Sequence, residues 1–502
     1  MFKKIVEFFR VIGDLKYLIP LLRYKFPDPD DNASLAHSFQ ETVNNFGNNN
    51  FIYFENETWT YAETNEAANK LAHKLAEDGI CHSDRVVLFM ENRSDYIISI
   101  LALNKIGAIG VLINTSLTGK PLIHCINSSD SKKCIVGAEL ASSLEDVLDD
   151  INISNKSDIY WVKDGDKFLC PDWASNLKLL LDDSKIENLD MTDMVTAKDT
   201  AFYIFTSGTT GVPKAALFPN SKIIAASINI TKGGYRMDDS DCMYNCLPLY
   251  HSTGLMLGLC ACVQAGAATF IRRKFSASSF WKEAKQFNTT AFVYVGELCR
   301  YLSFQDPSDE EKNNPISKMV GNGLRPDLWD SFRNRFNVER IIEIYGASEG
   351  NALFMNLLNK DETIGMTNAR VGIFEYDVAE DKLVKNEDGK YIEVKKNQPG
   401  LLLVEIGPNA IYNGYTDKKA SEEKVITNVF EEGDRWFNTG DLIKTMDVGF
   451  ALGRKHYQFV DRVGDTFRWK AENVSTNEVA EILNSYDQVN MANVYGIKIP
   501  KS

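Results

Sequence analysis

A cationic excess is missing from this chain: 55 Lys and Arg are outnumbered by 69 Asp and Glu, for a formal net charge of −14. That balance excludes a nucleic-acid surface, which rests on clustered Lys and Arg, so any anionic ligand must be met by local groups. Cysteine is sparse and odd in number, nine residues in 502. The pairs Cys242/Cys246 and Cys260/Cys262 have no second CxxC or histidine at zinc spacing, which leaves reduced, buried thiols on a cytosolic face as the expectation. Unbroken apolar runs of spanning length are missing too, although 254–271 is uncharged and reaches that length before its division is considered. The two that a hydropathy scan would flag, "GLMLGLCACVQAGAATFI" (254–271) and "YIISILALNKIGAIGVLIN" (96–114), are divided by Gly266 and by Lys105 with two glycines. Each reads as a buried helix followed by a strand. No internal repeat is evident.

What is present fits a globular chain: 44% of residues are hydrophobic and 25% charged, and 502 residues exceed one ordinary core. Strand-like runs ("RVVLFM", "AIGVLIN", "KCIVGA", "AFYIFT", "AATFIRR", "AFVYVG", "RIIEIYG") alternate with helix-like segments such as "NEAANKLAHKLAEDG". Such alternation predicts an α/β protein with parallel sheets flanked by helices. "NNFGNNN" around Asn44 is expected to be a loop, and residues 151–200 carry no usable motif. After Gly365 the pattern turns to short β-rich segments with "DG" and "NG" turns, the sign of a smaller β subdomain.

The N-terminus departs from the overall charge. Residues 1–25 carry Lys3, Lys4, Arg10, Lys16, Arg23 and Lys25 against Glu7 and Asp14, with Phe2, Ile5, Phe8, Phe9, Ile12 and Leu15 at helical spacing. Charges interrupt it too often for a signal peptide or a spanning helix. Two readings stay open: a basic amphipathic helix lying on an anionic membrane, or a helix docked on the protein's own body.

The densest chemical signal is "YIFTSGTTGVPKAAL" (203–217). Glycines free the backbone to turn its N–H groups inward, hydroxyls add donors and Lys214 adds positive charge, a combination suited to a polyphosphate. It is not a Walker A loop, because Pro213 precedes Lys214 and Ala215 follows it. "GNG" at 321–323 has Pro326 where a dinucleotide fingerprint needs its third glycine, so no Rossmann signal is present.

That loop, followed in order by "YGASE" (345–349), "NTGDL" (438–442) and "DRVGDTFRWKAENVS" (461–475), resembles the adenylate-forming superfamily of acyl-CoA synthetases, luciferases and peptide-synthetase adenylation domains. Within it, "CLPLYHSTG", "RRKFSASSFW", "YVGELCRYL", "GNGLR" and "GDTFRWK.ENVS" resemble the fatty acid transport protein branch, whose members double as very-long-chain acyl-CoA synthetases. The resemblance implies a large composite N-terminal domain of two mixed or parallel sheets flanked by helices plus a β subdomain, over 26–464. It also implies a hinge at Asp465 and the start of a small α+β C-terminal domain over 465–502.

By the same resemblance Thr206, Ser207, Gly208, Thr209, Thr210, Gly211 and Lys214 hold the phosphates of ATP, and Thr206 with Glu349 holds Mg²⁺, which prefers hard oxygen ligands. Tyr345 is implied to stack on adenine, with Gly346, Ala347 and Ser348 beside it and Gly321, Asn322 and Gly323 on the other side; alone, such a tyrosine would be read as core. Asp441 is implied to accept both ribose hydroxyls, with Arg462 donating to the same ribose, although an Asp after Gly is by itself more often a turn former. His251 falls where the family has a histidine between nucleotide and acyl pocket, in a gating or orienting role; a lone histidine beside an apolar run is otherwise a core residue. Lys214, Glu349 and His251 are thus the candidate catalytic residues.

Implied substrates are a long-chain fatty acid, ATP and CoA, on a membrane with a cytosolic face; a homo-oligomer is compatible with the sequence. Two departures from the family pattern stand out. Ala471 occupies a position where relatives usually have glycine. The superfamily's adenylation lysine comes from beyond Ser502, and "ENVSTNEVAEILNSYDQVNMANVYGIKIP" reads as one helix and a strand to which Lys498 and Lys501 belong. A missing transition-state donor costs about 10²- to 10³-fold in rate, so impaired adenylation is expected. Two further functions remain open from sequence: a noncatalytic nucleotide or fatty-acid binding protein, and an adenylating enzyme for another carboxylic acid.

Overall fold

The computed structural model of the chain describes residues 2–153, 155–182, 184–206, 213–347, 350–377, 380–407, 410–463, 467–469, 472–474, 476–484, 489 and 492–495. Two large sheets dominate. The first runs Phe354–Met355, Arg340–Tyr345, Lys318–Asn322, Ala291–Val295, Cys242–Asn245, Ala268–Ile271, Asn50–Phe54 and Glu57–Thr60, with only the two outermost strands antiparallel. The second runs Ser175–Asn176, Ile159–Val162, Lys133–Gly137, Arg85–Phe89, Ile109–Leu112, Thr200–Thr206 and Lys214–Pro219, all parallel except the last.

Between the sheets lies a layer of helices that includes Leu35–Phe46, Tyr61–Glu77, Ser94–Lys105 and Asn220–Ile228. The helix Tyr61–Glu77 shows why. Ala68, Leu71, Ala72 and Leu75 recur at helical spacing and are all buried. Thr60 and Glu63 close a capping box at its start. One continuous core joins Leu88 and Ile204 of the second sheet to Tyr244, Val320 and Ile342 of the first through these helices. The expected α/β architecture is therefore observed, and both flagged apolar runs divide into helix and strand, Ser94–Lys105 with Ile109–Leu112 and Cys260–Ala265 with Ala268–Ile271. Among the described residues no helix is long and apolar enough to cross a membrane. All nine cysteines are unpaired and seven are buried.

One expectation is corrected. The asparagine-rich stretch near Asn44 is not a loop over its whole length: the helix Leu35–Phe46 continues through Asn44 and Asn45 because Phe39 and Thr42 anchor its inner face, and a strand starts at Asn50.

The β subdomain after Gly365 is an antiparallel sheet of Val371–Phe374, Gly400–Glu405 and the long strand Arg435–Met446, whose far edge pairs first with Val425–Thr427 and then with His456–Arg462. A bridge between Ala216 and Tyr415, with Thr416 N–H donating to Ala215 O at 3.0 Å, fastens this subdomain to the second large sheet. After it comes the helix Thr476–Asn484, whose first residue donates backbone N–H and hydroxyl to Asp461 Oδ2 at 2.7 and 3.0 Å. Most residues of the strand expected beyond that helix, together with Asp465 and Ala471, lie outside the described residues.

The N-terminal helix Phe2–Leu22 is docked on the body. Val11, Leu18 and Leu21 are buried, Asp14 pairs with Arg236 at 2.6 Å, and Arg10 donates to Asn359 O at 2.9 Å.

Candidate functional site

The parallel strands of the first sheet end side by side, and in open α/β sheets ligands bind at such carboxyl ends. Register sets Tyr294 opposite Gly321 and Gly321 opposite Glu343. The chain leaves the middle strand through Gly323, at φ +82°, and a Cβ on Gly296 would come within 1.6 Å of Gly323 O. The 321–323 turn therefore packs against the next strand's exit with no room for a side chain. Glu343 fixes it from below: its carboxylate accepts Gly323 N–H at 2.9 Å, Leu324 N–H at 2.9 Å and the Tyr294 hydroxyl at 2.6 Å. Burial raises the Glu343 pKa to about 7, and the three donors pull back toward the charged form.

Tyr345 ends the neighbouring strand. Its ring meets Phe354 edge-on at 5.4 Å and Phe459 of the β subdomain at 6.2 Å, and its hydroxyl donates to Asp441 Oδ2 at 2.5 Å. Burial first, then the Asp441 carboxylate, holds the phenol well above its ordinary pKa. Asp441 is buried in the long strand Arg435–Met446, directly after a kink. Gly440 adopts φ +74°, Asn438 Oδ1 accepts Gly440 N–H at 2.9 Å, and Thr439 Oγ1 accepts Asp441 N–H at 3.1 Å. "NTGD" is thus a bulge that aims one carboxylate. Arg462 lies across the ladder from Asp441, its Nε 3.6 Å from Oδ1.

Thr206 and Lys214 are opposite each other where two antiparallel strands of the second sheet begin their turn, with Thr206 Oγ1 3.5 Å from Lys214 O. Lys214 Nζ sits 6.0 Å from the centre of the Tyr415 ring, at the seam with the β subdomain. Ser207, Gly208, Thr209, Thr210 and Gly211 between them lie outside the described residues, as do Ser348 and Glu349. The flanks of the latter pair are held, Gly350 N–H donating to Ala347 O at 3.0 Å and Lys222 Nζ reaching Gly350 O at 3.5 Å. Lys222 lies in the first turn of the helix Asn220–Ile228, which directly follows the Lys214–Pro219 strand.

His251 sits on a braced turn. Asn92 Oδ1 accepts Leu249 N–H at 2.8 Å while its amide donates to Leu247 O and Arg272 O, and Asn245 closes the inner side through Gly254 O at 2.9 Å. The imidazole is reachable by solvent, yet the protein around it desolvates the charged form enough to hold its pKa below 6.5.

Residues 39–416 match the family model described as "AMP-binding enzyme". Medium/long-chain-fatty-acid–CoA ligase FadD6 of Mycobacterium tuberculosis is 36% identical over 477 residues, covering 94% of this chain and 76% of that protein. Long-chain fatty acid transport protein 6 of Mus musculus is 36% identical over 460 residues, covering 90% and 72%. The chain belongs to the AMP-binding enzyme family. Solved structures agree on the fold: the anthranilate CoA ligase AuaEII in complex with anthranoyl-AMP superposes with a TM-score of 0.77 at 16% identity, over 95% of this chain and 86% of that one. ATP-bound MatB from Rhodopseudomonas palustris gives 0.73 at 18% identity, over 92% and 86%.

Within this AMP-binding fold, the residues that motif reading missed are the ones holding the motif residues in place. Glu343, Tyr294 and Asn92 are ordinary members of apolar strands or a loop start, and nothing local marks them. The one available signal for Glu343 was its presence, as a carboxylate, in the otherwise apolar strand run "RIIEIY".

Proposed function

We propose that this protein is an AMP-forming ligase that activates long- or very-long-chain fatty acids to acyl-CoA. The fatty acid carboxylate attacks the α-phosphorus of ATP, the bond to the departing pyrophosphate breaks, and an acyl-adenylate forms. The CoA sulfur then attacks the acyl carbonyl, its proton passing to solvent, and AMP leaves. The observation that carries this reading is the contact of Tyr345 with Asp441, since it joins two motifs at one place.

In this reading Asp441 and Arg462 take the ribose, Tyr345 and the Gly321–Asn322–Gly323 turn flank adenine, and the segment from Thr206 to Lys214 holds the phosphates. Their negative charge is met by amide and hydroxyl donors and one ammonium, a preorganised set that lets one anion approach another. The hydroxyl of Thr206 and the carboxylate of Glu349 are hard oxygen donors that suit Mg²⁺, which would screen phosphate charge there. His251, on its braced turn, orients the acyl carboxylate. A hinge at Asp465, between a domain of residues 26–464 and the segment 465–502, would let one site serve both half-reactions. The amphipathic residues 1–25 place the enzyme on the cytosolic face of a membrane, where thioester formation retains entering fatty acid and couples activation to uptake.

Pyrophosphate release and acyl-CoA formation, measured with ATP, CoA and a panel of carboxylic acids, test this reading. Oleate and longer acids are expected to be turned over. Saturable ATP binding without pyrophosphate release would replace it with a noncatalytic role, and preference for an aryl or amino acid would reassign the substrate.

A further inference from the structure

The outward side of the N-terminal helix is as apolar as its docked side. Phe8, Ile12, Leu15, Ile19 and Leu22 recur at intervals of four and three residues; Leu15 is half-buried and the other four are exposed, Leu22 to 70%, with Phe9 beside them at 65%. This stripe does not end with the helix. The Phe8 ring lies 5.6 Å from that of Phe450, and Phe450 and Leu452, 39% and 49% exposed, extend the same patch onto the loop 447–455. That loop joins the strands Arg435–Met446 and His456–Arg462 of the β subdomain.

The backbone of the loop is unusual. Phe450 and Leu452 both have positive φ, 50° and 51°. Bulky side chains are uncommon in that region because Cβ crowds the following carbonyl, so each such residue is strained. Strain is thus accepted at two positions whose side chains face water. Burial of neither residue explains it.

Charge identifies what covers the patch. Lys16 and Arg23 flank the helical stripe, and Arg454, Lys455 and Lys395 border the loop, all exposed. Of the carboxylates at the border, Glu7 pairs with Lys360 at 2.5 Å and Asp447 with Lys396 at 2.6 Å, while Glu393 is exposed beside Lys395. An apolar surface ringed by exposed cations complements an anionic bilayer, which attracts each Lys or Arg near it while apolar side chains enter the headgroup boundary. Single weak anchors bind lipid marginally, whereas two together hold.

We infer that the loop 447–455 is a second membrane-contacting element, which docks on an anionic lipid surface together with the outward stripe of the helix Phe2–Leu22. The inference rests on the membrane association proposed above and adds to it a contact in the β subdomain. It also relates the loop to the candidate site. The loop caps the hairpin whose opposite end pairs Asp441 with Arg462, and Met446 pairs with His456 next to the loop. Five strand steps separate the two ends, so Asp441 lies roughly 17 Å along the hairpin from the base of the loop.

The test uses the full chain and vesicles of phosphatidylcholine with or without phosphatidylserine, with cosedimentation and ATP binding as readouts. Phe450→Asn with Leu452→Asn removes both apolar side chains while suiting the positive φ, since asparagine tolerates it, so the variant keeps its fold. The inference expects the unmodified chain to prefer the anionic vesicles, the loop variant to lose about tenfold or more in partitioning, as two apolar side chains should give, and ATP affinity to stay unchanged. Phe8→Ser with Ile12→Ser should weaken partitioning to a similar degree. If the loop variant partitions like the unmodified chain while the helix variant does not, the loop has no part in docking and the inference fails, leaving the helix anchor standing. If the unmodified chain binds neither vesicle, both readings fail. If it instead self-associates in a concentration-dependent way that the loop variant abolishes, the patch belongs to a second copy of the chain and the inference is overturned.

Discussion

The hydroxyl of Tyr345 donates to Asp441 Oδ2 at 2.5 Å across 96 positions of sequence, and this bond ties the eight-stranded sheet to the β subdomain at the candidate nucleotide site. Asp441 has a second neighbour in Arg462, so its carboxylate is aimed and partly neutralised by two residues that the motifs list separately. If Asp441 takes the ribose, Asp441→Ala removes a charge-assisted contact worth about 1.5–3 kcal/mol. ATP affinity should fall roughly ten- to hundredfold. Tyr345→Phe keeps the ring and removes only the hydroxyl, so its loss should be a few-fold at most. Calorimetric titration with ATP checks both; unaltered affinity in the alanine variant would remove Asp441 from the site.

Glu343 predicts a pH dependence of nucleotide binding. Burial raises its pKa from 4.5 to about 7, so it is protonated on the acid side of neutrality and ionised above. Three donors converge on it, and an ionised carboxylate accepts all three, whereas a proton on either oxygen competes with one of them. ATP affinity should therefore be full above pH 7 and decline as pH falls through it. Glu343→Gln should bind ATP more weakly, about tenfold, with a flat profile from pH 6 to 8. A profile in the variant that still follows the unmodified protein would assign the titration to another group.

The parts of this molecule that follow from local pattern were legible before the fold was known. Alternating apolar runs gave the strands, and Gly266, at φ +71°, separates helix from strand as a positive-φ glycine should. Chemistry-bearing motifs named Thr206, Lys214, Tyr345, Asp441 and Arg462. What escaped was the set of long-range partners. Tyr294 and Glu343 meet only because parallel register stacks three strands, and Asp14 finds Arg236 across 222 positions. For the N-terminal helix, amphipathic spacing was compatible with lipid or protein; the buried Asp14 shows which side meets the protein, and no periodicity carries that information. The asparagine run failed for a local reason: Asn45 turns its side-chain amide back onto Glu41 O at 3.0 Å and so remains compatible with the helix.

Lys105 predicts a pH dependence of stability. It is buried, with Asn65 Oδ1 at 2.8 Å and Asn188 Oδ1 at 3.4 Å as its side-chain acceptors, and burial lowers its pKa from 10.5 to about 7. The unfolded chain binds a proton here up to about pH 10.5 while the folded chain has released it above 7, so folding gains stability as pH rises between those values. Lys105→Met abolishes that gain. Thermal denaturation from pH 7 to 9.5 should show the melting temperature of the unmodified chain rising relative to the variant; parallel curves would mean that the lysine is charged in the fold.

His251 separates an orienting role from proton transfer. Its pKa lies below 6.5 because burial disfavours the imidazolium, so the neutral ring is the form present at physiological pH. The braced turn beneath it, held by Asn92 and Asn245, fixes where the ring points. An orienting group acts through geometry, and misplacing a reactant by an ångström costs up to about 10²-fold. His251→Ala should slow acyl-adenylate formation roughly ten- to hundredfold with ATP affinity unchanged. In the unmodified enzyme the His251-dependent rate should be constant above pH 6.5 and fall only below it, as the ring gains a proton. His251→Asn should recover part of the loss, because an amide can still hydrogen-bond to the carboxylate. Single-turnover pyrophosphate release across pH 5.5 to 8.5 reads all three. If the asparagine variant is as slow as alanine, the imidazole is moving a proton and not holding a substrate.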